Sequence, residues 1–282
     1  MEIQIGFDIK FNFIGHTPMV LMLNVHPSRS HDLLTPDVIR TNPTRSITPY
    51  LDSFGNKCLR VLAPAGEFNV FNSAIISDNG LPDRVDLGAE EHAVSDLPPE
   101  ALMHLLASRY CESDLLMDTA WALFGNVPSG WRRVQAICDF VHGHIAFNYQ
   151  NADAKQGAVR TFERRTGVCR DFAHLALTFC RCLNIPARYC TGYLGDIGVP
   201  PDPAPMDFSA WFEAFIGGRW YVFDARHNAP RIGRVLIARG RDAADCAIAT
   251  TFGANTLSSF QITTHEFLGE LPRASACAVV GS

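Results

Sequence analysis

The first eighty or so residues alternate apolar and polar positions with a period of two. EIQIGFDIKFNF shows this alternation, as does VLMLNV, and ITPYLDSFGNKCLRVLAPAG reads as two strands around a turn at Gly55-Asn56. GEFNVFNSAIISDNG adds another strand. A period of two places successive side chains on opposite faces of a strand. Several short strands separated by Pro, Gly, Asn and Ser predict a small antiparallel β domain.

After Pro98-Pro99 the apolar spacing becomes helical. Residues 81–98 are polar and acidic and read as a connector, and three helices are predicted after it, over PEALMHLLASRY, DLLMDTAWALFG and SGWRRVQAICDFVHGHI. Ser129 is the predicted cap of the third helix. We therefore expect a β-rich N-terminal domain with its connector over 1–95 and an α+β core domain over 96–282.

The last third of the chain mixes helix and strand. A helix over 169–183 precedes the strand ARYCTGYLG, the proline-rich loop GVPPDPAPMD and a hairpin whose arms are SAWFEAFI and RWYVFDA. The arms are joined at Gly217-Gly218. RVLIA, CAIATTF and FQITTHEF predict further strands. The tail ASACAVVGS is small and apolar, and disorder is one prediction for it.

Composition and charge exclude several classes of function. The 282 residues are 47% hydrophobic and 19% charged, with a net charge of −5. The sequence has no basic stripe, which argues against a nucleic acid partner. It has neither an apolar run of membrane-spanning length nor a secretory signal, which argues against a membrane. Nine scattered cysteines without a CxxC pair predict reduced thiols in the cytoplasm rather than disulfides or a zinc site. The sequence leaves the oligomeric state open.

Cys169 is the strongest candidate for a chemical centre. It begins a predicted helix, on the inward face, in TGVCRDFAHLALTFCRCL. Free backbone N–H groups and the helix dipole at that position favour a thiolate and suit an oxyanion formed in acyl transfer. Such chemistry also needs a base, usually His, and a group that orients it. Asp224, at the end of the second hairpin arm, is the candidate orienting group.

Five segments carry a resemblance to a known family. GVCRDFA from Gly167, IPARY from Ile185, the GY pair at Gly192, AWFE from Ala210 and WYVFD from Trp220 resemble the nucleophile helix, following strand and hairpin of bacterial transglutaminase-like proteins, within the papain-like cysteine superfamily. The clear match covers about 160–226. The β-rich part resembles the N-terminal domain that often precedes such cores.

The resemblance implies a fold and a reaction class. The fold is a papain-like α+β core, in which the nucleophile helix packs on an antiparallel sheet. The reaction is thiol acyl transfer, either amide or peptide hydrolysis or transamidation, on a peptide or protein that presents a side-chain or backbone amide. No cofactor is implied, and calcium, which some animal relatives use, has no obvious ligand loop here.

One position departs from the family pattern. Active members carry the catalytic His two residues before the hairpin Trp, where this chain has Ser209. The carried-over catalytic positions are therefore Cys169, Ser209 and Asp224. Serine does not take up a proton near pH 7, so we expect impaired acyl transfer. The alternative is a catalytically degenerate scaffold that binds peptides or partner proteins through the old cleft. A thiol redox role is a third reading, weakened by the lack of a resolving cysteine in a CxxC pair.

Three further residues are candidates for lining the cleft. Trp211 and Glu213 alternate along the first hairpin arm, and their structural roles would be a core aromatic and an ion-pair partner of an arginine such as Arg188. His227 is the candidate for a substitute base, but an irregular turn is needed to bring it to Asp224.

The remaining histidines favour structural roles. His174 lies five residues after Cys169, a rotation of about 500°, so it is predicted to lie outside the site, packed or solvent-facing and tied to a carboxylate. His16, His26 and His31 lie near predicted turns and read as surface residues rather than ligands. His142 and His144 end a helix, where a cation is favourable. We therefore predict no metal site.

Overall fold

The computed structural model describes residues 1–269. The strands are β1 (Glu2–Phe13), β2 (Thr17–Leu21), β3 (Arg40–Asn42), β4 (Ile47–Leu51), β5 (Lys57–Ala63), β6 (Gly66–Ser77), β7 (Ala146–Phe147), β8 (Thr166–Gly167), β9 (Ala187–Tyr193), β10 (Ser209–Ile216), β11 (Arg219–Phe223), β12 (Val235–Gly240), β13 (Ala249–Thr251) and β14 (Asn255–Glu266). The helices are α1 (Pro99–Leu102), α2 (Ser113–Phe124), α3 (Trp131–His144), α4 (Ala158–Arg164) and α5 (Cys169–Cys182). The predicted disorder of the tail concerns residues outside this range.

Two four-stranded antiparallel sheets form the β-rich part. Their strand orders are β14-β1-β6-β3 and β13-β2-β5-β4. Along β1 the odd-numbered side chains from Ile3 to Phe13 are all buried. This confirms the predicted period of two, because one face of the strand packs into the core.

The β-rich part is built from both ends of the chain. β14 pairs with β1 from Ile3 opposite Glu266 to Phe13 opposite Asn255, and β13 pairs with β2. The last strands thus cover edges that β1 and β2 would otherwise expose. The boundary near residue 95, where the core is predicted to start, stays a prediction. The strands within 249–266 hydrogen-bond to the N-terminal strands and not to the core sheet.

The core combines an antiparallel sheet with a buried helix. The sheet order is β11-β10-β9-β12. α5 packs on β9 and β10 and is surrounded by α2, α3 and α4, so that all of its residues except Arg170 are buried. This is the α+β architecture predicted from the sequence, with the nucleophile helix packed on an antiparallel sheet.

Two helical predictions need correction. The pattern over 99–110 yields only α1 and a 3₁₀ turn at Met103–Leu105, because the backbone becomes extended at Leu106. The N-cap of α3 is Gly130, not Ser129. Gly130 has a φ of +80°, and an added Cβ would lie 2.3 Å from the carbonyl oxygen of Ala89. A side chain at this position would therefore be excluded.

Residues 1–269 also show whether the cysteines are paired and whether any helix could cross a membrane. The eight cysteines there are buried and free. None of the helices described is both long enough and apolar enough to cross a membrane.

Candidate active site

Cys169 is the first residue of α5, and the local sequence explains why the helix begins there. Asp171, in the first turn, accepts a hydrogen bond from the N–H of Val168 at 2.9 Å through Oδ2. Gly167 permits this approach, since an added Cβ would lie 2.6 Å from Cβ of Asp171. The first-turn N–H groups of a helix have no intrahelical acceptor, so those next to Cys169 are suited to bind an oxyanion.

The Cys169 sulfur lies against the beginning of β10. It is 4.0 Å from the carbonyl oxygen of Phe208 and near the N–H of Ala210. Burial raises the pKa of the thiol to about 11, Asp207 adds to the rise, and Arg226 opposes it. Burial thus outweighs the thiolate-favouring helix terminus expected from the sequence, and the resting group at neutral pH is a thiol.

Cys169 opens on a cleft of about 330 Å³. The lining residues are Phe147, Tyr149, Cys169, Leu194, Asp196, Asp202, Ala204, Pro205, Met206, Asp207, Phe208, Ser209, Arg226, His227 and Arg231. Of the predicted site residues, the structure therefore brings Cys169, Ser209 and His227 together. Asp224 lies behind this lining, with a side chain that is 2% exposed.

A capped turn after β11 joins His227 to Asp224. Oδ1 of Asp224 accepts the N–H groups of Arg226 and His227, both at 3.0 Å. Oδ2 lies 2.8 Å from Nδ1 of His227 and 2.8 Å from Nη2 of Arg234. The N–H of Asn228, a residue with a φ of +50°, closes the turn on the carbonyl of Asp224. The irregular turn that a pairing of Asp224 with His227 requires is present.

Arg234 fixes the charge of Asp224. Its Nε donates to Asp83 at 2.8 Å, and its guanidinium lies 5.1 Å from the ring centroid of Trp211. Burial alone would raise the pKa of Asp224, but Arg234 and the hydrogen bonds from His227 outweigh it and hold that pKa well below its usual range. Asp224 is therefore an ionised carboxylate at neutral pH.

Helix α3 holds the turn in place. The side-chain amide of Asn228 accepts from Gln135 at 2.9 Å and donates to Asp139 at 2.8 Å. Nδ1 of His142 is 2.9 Å from the carbonyl oxygen of Arg226, and it must donate because a carbonyl only accepts. His142, which the sequence assigned to a helix end, thus also positions the residues beside the cleft.

Trp211 and Glu213 face elsewhere. They line a separate cavity of about 590 Å³ that also contains Arg234. Glu213 forms an ion pair with Arg188, which confirms the structural role considered from the sequence. Neither residue is among those, within 1–269, that line the Cys169 cleft.

Two other histidines, His174 and His26, are buried and held by contacts within the protein. His174 is fully buried and stacks on Tyr110 at 5.1 Å between ring centroids. The predicted carboxylate partner is wrong, because Nε2 accepts the N–H of Ala243 at 3.1 Å. His26 is buried rather than on the surface, because its Nδ1 is held by the N–H and hydroxyl of Ser28. Residues 1–269 contain no group of three or more His, Cys, Asp or Glu side chains that could hold a metal ion.

Sequence reasoning did not single out the three arginines of the site. Arg226 and Arg231 line the Cys169 cleft, and Arg234 anchors Asp224. The available signal was their clustering in ARHNAPRIGRV directly after Asp224. Three cations within ten residues of a buried carboxylate are candidates for its partners.

Comparison with known proteins decides the family. The description "Transglutaminase-like superfamily" matches residues 120–225, a range that includes Cys169, Ser209 and Asp224. The crystal structure of a "Putative Cysteine Protease" from Cytophaga hutchinsonii is 31% identical, covering 96% of this chain and 92% of that one, with a TM-score of 0.82. The chain belongs to the transglutaminase-like superfamily.

Two other matches are more distant or shorter. An uncharacterized protein of Mycobacterium leprae (strain TN) is 36% identical over 124 residues, which are 43% of this transglutaminase-like chain and 42% of that protein. The chain thus matches less than half the length of this curated relative. The periplasmic domain of TgpA from Pseudomonas aeruginosa is 14% identical, covering 79% of this chain and 90% of that domain, with a TM-score of 0.40.

Proposed function

We propose that this protein transfers acyl groups through Cys169, acting on amides of peptides or proteins. The observation that carries the proposal is the position of Cys169 as the first residue of α5, where its sulfur lies against β10 in an open cleft. A nucleophile next to free helix N–H groups is the arrangement that acyl transfer to a carbonyl requires. Membership of the transglutaminase-like superfamily supports the same chemistry. So does the similarity to a structure that is named as a "Putative Cysteine Protease".

The lining of the cleft suits a peptide. Phe147, Tyr149 and Met206 supply apolar surface, while Asp207 and Arg226 supply charge of both signs. Such a mixture accommodates a chain with apolar side chains and a polar backbone. In the reaction the sulfur forms a thioester with the substrate acyl group, which water or an amine then resolves. The eight thiols within residues 1–269, which are buried and free, support a cytoplasmic location.

A non-catalytic scaffold is the competing proposal. Two observations favour it: Ser209 occupies the position of the family's histidine, and burial raises the pKa of the Cys169 thiol to about 11. Under this proposal the cleft binds peptides or partner proteins, and Cys169 forms no acyl intermediate.

An acylation experiment separates the two proposals. Single-turnover reaction with p-nitrophenyl acetate reports thioester formation, and a glutamine-containing peptide with hydroxylamine reports transamidation. Cys169→Ala should abolish both signals. The matched control is Cys180→Ala, which removes a thiol buried in the core on the same helix and should retain both signals per folded protein. Equal signals in wild type and Cys169→Ala would contradict the proposal, and peptide binding without any Cys169 acylation would establish the scaffold.

A further inference from the structure

The Cys169 cleft contains one imidazole. Among its lining residues within 1–269, His227 is the only histidine. Its side chain is 23% exposed, so substrate can reach it, whereas His174 is fully buried. An acyl transfer site with a thiol nucleophile needs a base within reach, and the cleft offers this ring.

The hydrogen bonds of His227 determine which nitrogen is basic. Asp224 is ionised, and its two oxygens already accept the N–H groups of Arg226 and His227 and the guanidinium of Arg234. A carboxylate in that state only accepts, so the 2.8 Å contact requires a proton on Nδ1 of His227. The neutral ring therefore has its lone pair on Nε2.

The antiparallel pairing of β10 with β11 brings the turn that carries His227 to the end of β10 that carries Ser209. Phe212 pairs with Phe223 at the end of the β10–β11 ladder, so Ser209 lies beyond the part of β10 that pairs with β11, at the end of the sheet where the turn after β11 begins. Ser209 ends there with a buried hydroxyl oxygen that has no hydrogen-bond partner among the described residues. A serine side chain is smaller than an imidazole ring, and His227 lines the same cleft from the neighbouring chain segment.

We propose that His227 is the general base and acid of this site, taking the role that the family assigns to the position of Ser209. The inference rests on the proposed acyl transfer at Cys169. Asp224 orients the ring, and Arg234 acts through Asp224 as a positioning residue.

The proton balance follows from this assignment. Nε2 of His227 takes the thiol proton as the Cys169 sulfur bonds to the carbonyl carbon. The C–N bond breaks, and the leaving amine takes that proton from Nε2, which leaves a thioester. Water or an amine then gives a proton to Nε2 and bonds to the carbonyl carbon. The C–S bond breaks, and the sulfur recovers the proton.

The test uses p-nitrophenyl acetate on the full chain, because its leaving group needs no acid and isolates the base. We expect His227→Gln to slow acylation of Cys169 by about 100-fold or more near pH 7 and to remove the base-dependent part of the pH–rate profile. His16→Gln, which removes an exposed histidine, should behave as wild type. Added imidazole should restore part of the rate in His227→Ala, which a merely structural role would not allow.

Two further measurements guard against a folding defect. Ser209→His in the His227→Gln background returns a ring to the family position and should recover acylation. In the wild type, ¹⁵N NMR of the neutral ring should show a proton on Nδ1 and none on Nε2. The opposite tautomer, or an unchanged rate and pH profile in His227→Gln, would overturn the inference while leaving a Cys169-dependent reaction intact. A wild type without Cys169-dependent acylation would instead overturn the proposed function.

Discussion

His227, in the Cys169 cleft, and His174, on the helix that begins with Cys169, have opposite surroundings. His227 donates through Nδ1 to an ionised carboxylate, and its partly exposed ring lines a cleft. His174 is sealed between Tyr110 and Tyr189, and its Nε2 is used by a backbone N–H. Burial and then Arg170 and Arg181 hold the pKa of His174 well below its ordinary value.

The difference shows that partner and burial, not residue type, decide what a histidine does. A ring whose accepting nitrogen is already bonded and whose charged form is excluded by burial serves as a fixed acceptor. A ring held from behind by a carboxylate and open in front can exchange a proton with a substrate. The following predictions break or sharpen this contrast.

The largest expected effect comes from removing the anchor behind His227. Arg234→Met leaves Asp83 and Asp224 without their shared cation. Loss of one partner from a buried ion pair costs about 3–5 kcal/mol, so we expect the free energy of unfolding at pH 7 to fall by that order. Acylation of Cys169 should slow as well, because the orienting carboxylate is no longer fixed. Urea unfolding and p-nitrophenyl acetate kinetics measure the two effects.

The pH dependence of that loss provides a control. Because the folded pKa of Asp224 lies below its unfolded value, the stability it contributes is present above the unfolded value of about 3.9 and is lost as the pH falls through the folded one. The difference between wild type and Arg234→Met should therefore hold from pH 7 down to about pH 4 and shrink as the pH falls further. A constant difference would mean that packing of the Arg234 stem against Trp211, not charge, holds the site together.

His174 should affect stability without affecting chemistry. His174→Leu leaves the N–H of Ala243 without its acceptor, and an unpaired buried donor costs about 1–3 kcal/mol. We expect the melting temperature to fall while the rate and pH profile of Cys169 acylation, per folded protein, stay unchanged. A shifted pH profile would show that the two histidines are coupled, which the contrast between them excludes.

Acid should destabilise the fold through His104, which is buried as His174 is. Burial, and then Arg181, lowers the pKa of His104 to about 3, so the unfolded chain takes up a proton from about pH 6.5 downwards while the folded chain does not. Stability is complete above about pH 6.5 and is lost as the pH falls towards 3. Between pH 6.5 and 5 this amounts to about 2 kcal/mol. Urea midpoints in wild type and His104→Gln measure it, and equal slopes would refute the assignment.

The sequence could predict the parts of the site that local pattern and order determine. The start of α5 at Cys169 and the hairpin ending at Asp224 follow from helical spacing, a two-glycine turn and the order of motifs. The period of two along β10 also predicts that Trp211 faces away from Ala210 and Phe212. Ala210 and Phe212 lie in the core, and Trp211 lines another cavity. The prediction that Trp211 lines the cleft rests on its proximity to the motif, whereas the face of the strand determines its surroundings.

Other features depend on contacts that no local pattern contains. The link between His227 and Asp224 needs a capped turn with Asn228 in a left-handed conformation, held by α3 from almost a hundred residues earlier in the chain. The pairing of β14 with β1 joins the two ends of the described chain. Neither contact follows from hydrophobic periodicity, because each is selected by the completed tertiary structure.

The smallest expected effect is at Ser209, and it tests whether position 209 retains any role. Its buried hydroxyl oxygen has no partner among residues 1–269, so replacing it by a methyl group removes a desolvation cost without breaking a bond. Ser209→Ala should leave the free energy of unfolding unchanged or raise it by up to about 1 kcal/mol, with the acylation rate unaltered. The control is Thr191→Ala, which loses a 3.0 Å bond to the backbone of Ser209 and should be the less stable of the two. A rate loss in Ser209→Ala as large as that in His227→Gln would contradict the relocation of the base, because it would return proton transfer to the strand where the family has it.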